Sequence, residues 1–210
     1  MIKIACIGDS ITWGFTIIRR SKYSYPAILE ELLNSDLAEK NFVVKNFGYN
    51  DSTARMDSEM PYIRKRVFTE AQKFLPNIAV IMLGSNDTKR INWDPEKYTA
   101  GYTEIVDTFI KLGAKVYLMT PPPVLNKIEI KEGLEISRIE PDIISLNDNT
   151  LNEGVIPIIR KVAEDKHLTV IDINSVLGNI NQYNDGIHPN RDGARIIATT
   201  VYNQIKKDIY

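Results

Sequence analysis

Five short runs of apolar and β-branched residues recur along the chain, and each has the length of a buried strand. They span residues 2–7, 42–47, 78–83, 115–119 and 169–173. The segments between and after these runs have apolar residues at helical spacing, over residues 25–37, 56–74, 94–112, 151–166 and 194–207. Strands that alternate with long helices predict right-handed crossovers and a parallel sheet covered by helices on both faces.

Turn and cap residues support this interpretation at the ends of one predicted helix. Asp94 followed by Pro95 is typical of a helix start, and Gly113 is placed to end the same helix. Residues 121–149 are the least regular segment, and we expect them to form an ordered excursion on one rim of the sheet. No internal repeat, heptad array or Gly/Ser linker divides the chain, so residues 1–210 are predicted to form a single domain.

Charge and cysteine content narrow the function classes. The chain has 26 Lys and Arg residues against 27 Asp and Glu, a net charge of −1, which leaves no basic excess to bind nucleic acid. The one cysteine, Cys6, lies in the first apolar run and is expected in the core, so no intrachain disulfide is possible. No stretch reaches 18 apolar residues and no signal-like segment follows Met1, which predicts no membrane span and a cytoplasmic location.

Candidate chemistry is concentrated in the loops that follow the predicted strands, where ligands bind in open parallel sheets. Four of these loops combine a glycine with small polar side chains, which suits close approach of the backbone to a ligand. They are residues 8–12, 48–52, 84–87 and 185–189.

Ser10 follows the first strand directly, where a tight turn would present its hydroxyl at the edge of the sheet. A serine hydroxyl is a weak nucleophile and needs a base with an orienting group. Of the two histidines, His167 ends a polar helix, where a solvated imidazole is expected, whereas His188 has Asp185 three residues before it. The alternatives are that Ser10 only caps a helix and that the Asp–His pair is an incidental surface turn.

An acyl-transfer site also needs donors for the oxyanion. Gly48 follows the second strand and offers a backbone N–H, and Asn86 offers a side-chain amide. Each has a simpler interpretation, since Gly48 suits a turn and Asn86 suits a helix cap. The coincidence of all these residues on one predicted rim favours the catalytic interpretation.

Four sequence blocks resemble those of the GDSL, or SGNH, hydrolases, in the same order and across nearly the whole chain. They are Gly8-Asp9-Ser10, Asn46-Phe47-Gly48, Gly84-Ser85-Asn86-Asp87 and Asp185-Gly186-Ile187-His188-Pro189. The resemblance implies a three-layer α/β/α flavodoxin-like fold with a five-stranded parallel sheet, and ester hydrolysis through a serine acyl-enzyme.

Carried over by position, the resemblance implies that Ser10 is the nucleophile, that Asp185 orients His188, and that His188 is the general base and then the acid. The oxyanion would be held by the Ser10 and Gly48 N–H groups and the Asn86 amide. The sequence departs from the family pattern at Asp51, where a further glycine is common, and at Ser85, which replaces a commoner threonine.

Aromatic residues among polar neighbours indicate a sugar substrate rather than a long acyl chain. Trp13, Tyr49 and Trp93 flank the predicted catalytic loops, and Lys89 or Arg90 is placed to pair with a sugar carboxylate. The third block with its following residues resembles the branch of the family that contains carbohydrate O-acetylesterases, including those acting on sialic acids. The expected substrate is therefore an acetylated carbohydrate, with structural packing of the aromatics and solvated charges as the simpler alternatives.

Two other functions remain open at this point. One is a lysophospholipase or acyl-thioesterase of the same family, and the other is a non-catalytic nucleotide- or sugar-binding module. The first loop lacks both a dinucleotide glycine fingerprint and a phosphate-loop lysine motif, which counts against a nucleotide site. No metal or other cofactor is expected, because no His, Cys and carboxylate residues stand at ligand spacing. The sequence leaves the oligomeric state open.

Overall fold

The computed structural model describes residues 1–37, 40–125 and 145–209, and within them five parallel strands form one sheet in the order β2-β1-β3-β4-β5. The strands are β1 Ile2–Gly8, β2 Phe42–Gly48, β3 Ile78–Met82, β4 Lys115–Met119 and β5 Thr169–Ile171. This order reverses direction between β1 and β3, as in flavodoxin-like folds, and such a switch point opens a crevice for ligands. The predicted fold class is confirmed.

Helices cover both faces of this sheet. They are α1 Ser10–Trp13, α2 Arg20–Tyr23, α3 Tyr25–Asp36, α4 Arg66–Lys73, α5 Pro95–Lys111, α6 Asp148–Thr150, α7 Ile156–Asp165 and α8 Arg191–Ile209. Single turns of 3₁₀ helix occur at Tyr62–Arg64, Asn86–Thr88, Asn174–Val176 and Ile180–Gln182, and a π-helical turn spans Leu151–Val155.

Alternation along β1 shows how the two cores form. Ile4 and Cys6 point to one face, where they pack with buried residues of α3 and α8. Ala5 and Ile7 point to the other face, where they pack with α4, α5 and α7. Because both faces are covered, the strand is a continuous apolar run, as predicted, and Cys6 is a core residue.

The helix predicted over residues 56–74 begins only at Arg66. Pro61 interrupts the segment, since proline has no N–H to continue a helix. The backbone instead pairs across the loop, where Thr53 donates its N–H to Met60 and accepts from the N–H of Tyr62. This pairing replaces the missing helical hydrogen bonds, and sequence periodicity did not reveal it.

The helix predicted over residues 151–166 also differs at its start. Its first turn is π-helical over Leu151–Val155, and α7 follows from Ile156. Pro157, in the first turn of α7, would clash with the carbonyl four residues earlier in a regular helix, so the hydrogen-bond spacing widens.

Two further predictions concern the ends of elements. Asp94 caps α5 by accepting the Lys97 N–H at 3.1 Å, and Gly113 follows that helix with φ +79°, both as predicted. The predicted excursion at 121–149 lies mostly outside the described residues. Among the described residues, no helix is long and apolar enough to cross a membrane.

Candidate active site

The predicted nucleophile, Ser10, lies at the turn from β1 into α1. Asp9 precedes it, and the Oδ1 atom of Asp9 accepts the N–H of Ile11 at 2.9 Å, which caps the short helix that Ser10 begins. The turn runs so close to β3 that a Cβ at Gly8 would lie 2.6 Å from the backbone of that strand. Asp9 therefore does the capping, which leaves the Ser10 side chain for another contact.

The His188 ring bridges Ser10 and Asp185. Oγ of Ser10 lies 3.0 Å from Nε2, and Oδ2 of Asp185 lies 2.7 Å from Nδ1. Because an ionised carboxylate only accepts hydrogen bonds, this pairing favours a proton on Nδ1 and leaves Nε2 to accept from the serine hydroxyl. The structure thus joins the three residues named from the sequence in one hydrogen-bonded chain.

Local hydrogen bonds hold the loop that carries Asp185 and His188. Oδ1 of Asp185 accepts the N–H groups of Ile187 at 3.0 Å and His188 at 2.7 Å. An isolated antiparallel bridge joins Tyr183 to Pro189 and closes the loop at its base. The imidazole is therefore oriented by its own loop rather than by a distant element.

The pKa of the Asp185 carboxyl lies below its usual range. Partial burial acts to raise it, but hydrogen bonds from the backbone and ring of His188 and from the backbone of Ile187 outweigh burial and lower it. The carboxylate is therefore ionised at neutral pH, which is the form that orients an imidazole.

The second histidine lies away from this chain of residues. His167 follows α7, is exposed, and has φ +54°. Its exposure agrees with the solvated side chain expected from the sequence.

Asn86 begins the 3₁₀ turn after β3 and is buried. Its Nδ2 donates to the carbonyl oxygen of Ser52 at 3.2 Å, which orients the amide, and its backbone oxygen accepts from Nδ2 of Asn92 at 2.8 Å. A side-chain amide has two N–H bonds, so one remains for a ligand. This geometry is compatible with the donor role predicted for Asn86.

Gly48 does not meet the donor role predicted for it. Its N–H donates to Oδ1 of Asn46 at 2.9 Å and is therefore occupied. The amide of Asn46 in turn donates to the carbonyl oxygen of Thr12 at 2.7 Å, which ties β2 to α1. A Cβ at Gly48 would lie 2.2 Å from the backbone nitrogen of Trp13, so glycine is needed here for close packing.

A tight turn follows Gly48, with the N–H of Ser52 donating to Tyr49 at 3.3 Å. Its two central residues are Asn50 and Asp51, whose N–H groups have no acceptor within the described ranges. Asp51 has φ +58°, a left-handed conformation that glycine adopts more readily than aspartate. Nζ of Lys89 lies 3.5 Å from Oδ1 of Asp51, so a cation offsets the carboxylate at this rim.

Two carboxyl groups beneath the site are buried. Burial is the main cause that raises the pKa of Asp9 to about 6 and of Asp87 to about 7, against hydrogen bonds from backbone N–H groups that lower both. Oδ2 of Asp9 has no hydrogen-bond partner in the described part of the chain. Asp87 was noted in the sequence only as part of a motif, and nothing in its local pattern signals burial.

The predicted substrate aromatics divide into two groups. Trp13 lies three residues after Ser10 and Tyr49 directly follows Gly48, with the Arg20 guanidinium 3.8 Å from the Trp13 ring centroid. Trp93 instead packs with the core near Tyr98, and its ring is so close to residue 154 that only glycine fits there. Trp93 was predicted to contact a sugar, but in the structure its ring packs against the core.

Arg90, the other predicted binding residue, is exposed. Its backbone follows the buried turn at Asn86–Thr88, and within the described segments its side chain makes no contact with the Ser10–His188 pair. The structure therefore does not bring Arg90 into the site.

Phe15 contacts the imidazole of His188 and was missed by the sequence reasoning. Its ring centroid lies 4.8 Å from that of His188 at an interplanar angle of 57°, while 42% of the residue stays exposed. No pattern points to it, because Phe15 follows the left-handed turn at Gly14 and its direction depends on that turn.

Residues 1–37, 40–125 and 145–209 contain no candidate metal-binding site. No group of three or more His, Cys, Asp or Glu side chains in these ranges is arranged to hold a metal ion.

Comparison with known proteins identifies a family that the chain matches and a relative with similar sequence. The GDSL-like Lipase/Acylhydrolase family matches residues 6–196 of the chain. An acetylxylan esterase from Xylanibacter ruminicola is 33% identical over 218 aligned positions, which cover 98% of this chain and 43% of that protein. The chain thus spans less than half the length of this curated relative.

Solved structures match the fold along almost its whole length. An aryl esterase from M. smegmatis has a TM-score of 0.76 at 20% identity, with 99% of both chains covered. An acetyl xylan esterase has a TM-score of 0.74 at 21% identity, covering 97% of this chain and 100% of that chain. An acetylxylan esterase from Geobacillus stearothermophilus, solved as a catalytic mutant, has a TM-score of 0.72 at 21% identity, covering 97% and 94%.

Proposed function

The chain belongs to the GDSL-like lipase/acylhydrolase family, and from this premise we propose that it is a carboxylic ester hydrolase that removes acetyl groups from a carbohydrate with Ser10 as nucleophile. The observation that carries the proposal is the preformed contact of Ser10 Oγ with His188 Nε2 at 3.0 Å, continued to Asp185 at 2.7 Å. A nucleophile in contact with an oriented base is the arrangement that acyl transfer needs.

The first half-reaction forms an acetyl-enzyme. Ser10 Oγ bonds to the ester carbonyl carbon while Nε2 of His188 takes the hydroxyl proton. The tetrahedral intermediate then loses the alkoxide of the sugar, and His188 gives that oxygen its proton. Asp185 stabilises the imidazolium in between.

The second half-reaction repeats these steps with water. The oxygen of water bonds to the acetyl carbon while His188 takes a proton from that water. His188 then gives this proton to Ser10 Oγ as the bond between Oγ and the acetyl carbon breaks. Acetate leaves and the free enzyme is restored. Loss of one oxyanion donor typically slows such steps about 10²–10³-fold.

The proposed oxyanion donors are the Ser10 N–H, one N–H of the Asn86 amide, and an N–H from the turn at Asn50–Asp51. We assign the third donor to this turn because the Gly48 N–H is occupied by Asn46. The charge of Asp51 would oppose an oxyanion, and its ion pair with Lys89 reduces that opposition.

A sugar as the alcohol part of the ester is supported by a groove formed by the end of α1 and the segment that follows it. A groove of about 610 Å³ is lined by Trp13, Ile17, Ile18 and Arg20, among others. The stacked indole and guanidinium combine an apolar face with hydrogen-bond donors, which suits a sugar ring. The relatives named acetylxylan esterase make an acetylated xylan-type chain the proposed substrate.

The test is a panel of acetylated xylo-oligosaccharides and p-nitrophenyl esters of increasing acyl length, assayed on the wild type and on Ser10→Ala. We expect acetate release from the sugars, a kcat/KM that is highest for the acetyl ester, and loss of turnover in Ser10→Ala with the fold intact by circular dichroism.

Two results would contradict the proposal. A kcat/KM that rises from two to eight or more acyl carbons would favour the lysophospholipase or thioesterase alternative. Wild-type activity in Ser10→Ala would remove Ser10 from the mechanism.

A further inference from the structure

The loop after β3 holds the loop after β2 through several contacts, three of which join residues 51–55 to residues 86–89. Besides the bond from Asn86 Nδ2 to the carbonyl of Ser52, there is the ion pair of Lys89 with Asp51 and a pair of hydrogen bonds to Asp87. All three lie within residues 51–55 on one side and 86–89 on the other. The two loops that would supply the oxyanion donors are therefore fixed to each other and not only to the sheet.

Of these contacts, the one made by Asp87 uses a buried side chain and two hydrogen bonds. Asp87 is fully buried, and its Oδ2 accepts the N–H of Ala54 while its Oδ1 accepts the N–H of Arg55, both at 2.9 Å. Two consecutive backbone donors thus point at the two oxygens of one side chain. An ionised carboxylate accepts both, whereas an asparagine of the same shape accepts one and turns its own N–H₂ toward the other donor.

We propose that Asp87 is a positioning residue for ester hydrolysis, which acts by holding residues 50–55 where the turn and the Asn86 amide can bind the oxyanion together. Asp87 does not touch the substrate. Its effect passes through the Ser52 carbonyl to Asn86 and through the backbone to the N–H groups of Asn50 and Asp51. This inference rests on the proposed acyl-enzyme mechanism.

The position of these donors matters most in the transition state, because negative charge develops on the carbonyl oxygen only there. A shift of about 1 Å in such groups costs roughly 10²-fold in rate. Loss of the Asp87 contact should therefore lower kcat while KM stays nearly constant.

The experiment compares Asp87→Asn and Asp87→Glu with the wild type. Asparagine keeps the shape of the side chain and loses one acceptor. Glutamate keeps both acceptors on a longer side chain. If Asp87→Asn does not fold, Asp87→Glu tests the same role. Activity toward p-nitrophenyl acetate is expressed per active serine, counted by the end point of fluorophosphonate labelling. We expect kcat to fall about 10–10²-fold in both, with KM changed less than about threefold.

Asn34→Ala is the matched control. Asn34 also holds a backbone segment by two hydrogen bonds, to the N–H and carbonyl of Phe42, but at the opposite end of β2. We expect it to lower Tm and leave kcat per active serine unchanged. The double variant Asn86→Ala with Asp87→Asn should lose less rate than the product of the two single losses, because both act on the same donors.

Wild-type kcat per active serine in a folded Asp87 variant, or a double variant whose loss equals that product, would overturn the positioning role. Ser10→Ala, assayed in parallel, separates this outcome from failure of the proposed function. Retained activity in Ser10→Ala would refute the nucleophile assignment itself, whatever the Asp87 variants do.

Discussion

The two sides of the candidate site are built in opposite ways. The proton-transfer side lies in an exposed loop, where the carboxylate of Asp185 and the ring of His188 are held by hydrogen bonds within residues 183–189. The oxyanion side is buried, and Asn86 and Asp87 hold a loop more than 30 residues away in sequence.

The difference follows from the chemistry that each side performs. A base that passes protons to an alcohol and then to water must be reached by both, so an accessible loop suits it. Donors that stabilise a transient oxyanion act best where water is excluded and their directions do not change. Local sequence provides the accessible loop for the base, and tertiary packing provides the buried donors with fixed directions.

The strongest test of the accessible side is to replace each histidine in turn. His188→Asn removes the base, and we expect kcat to fall by about 10⁴-fold or more. His167→Asn is the control, because this residue is exposed and asparagine tolerates its positive φ. Both kcat values are measured on p-nitrophenyl acetate. A comparable loss in His167→Asn would mean that the base has been misassigned.

The buried side is tested by Asn86→Ala, which removes the amide donor and leaves the carbonyl of Ser52 without its partner. We expect kcat to fall about 10²–10³-fold with little change in KM. Asn77→Ala is the control, since its side chain also bonds backbone, accepting the N–H of Lys3, but at the amino ends of the strands. Should Asn86→Ala raise KM and leave kcat intact, Asn86 would bind substrate and not the oxyanion.

The buried carboxyl of Asp9 should make stability depend on pH. Its pKa is raised to about 6 in the folded state, so the folded protein binds this proton more tightly than the unfolded chain. The stabilisation is present below about pH 4 and is lost as pH rises through 6, by about 3 kcal/mol.

Asp9→Asn lacks this titration. The free energy of unfolding of the variant minus that of the wild type, from urea titrations, should therefore increase by about 3 kcal/mol between pH 4 and pH 8. A difference that is constant over this range would show that Asp9 is ionised in the folded protein throughout.

The smallest expected effect concerns Phe15, whose ring packs on the imidazole of His188 at the exposed side. Phe15→Ala removes that contact, and an aromatic pair contributes about 0.5–1.5 kcal/mol, so kcat/KM should fall roughly 2–12-fold. With p-nitrophenyl acetate as substrate, which has no sugar to fill the groove that Ile18 lines, Ile18→Ala in the same loop, 75% exposed, should leave kcat/KM unchanged. Equal losses in the two variants would indicate a general effect of the loop rather than orientation of the ring.

Sequence reasoning agreed best with the structure where contacts involve neighbours along the chain. Asp185 and His188 are three residues apart, and Ser10 directly follows a strand, so spacing and strand ends were enough to select them. Sequence reasoning agreed less well with the structure for contacts between segments that are distant in sequence. The occupation of the Gly48 N–H by Asn46, the core packing of Trp93 and the non-helical course of residues 56–65 all depend on partners that a periodic pattern does not contain.

By itself the sequence determined the parallel α/β fold, the strand-end loops that carry the candidate site, and the residues proposed for proton transfer, because alternation, capping and close spacing are local properties. Only the tertiary structure decided which N–H groups remain free, that Phe15 contacts the imidazole, and that buried Asp87 accepts the N–H groups of Ala54 and Arg55. The physical reason is that a hydrogen-bonding group is available only if no other part of the folded chain has already bound it, and burial depends on every element that packs around it.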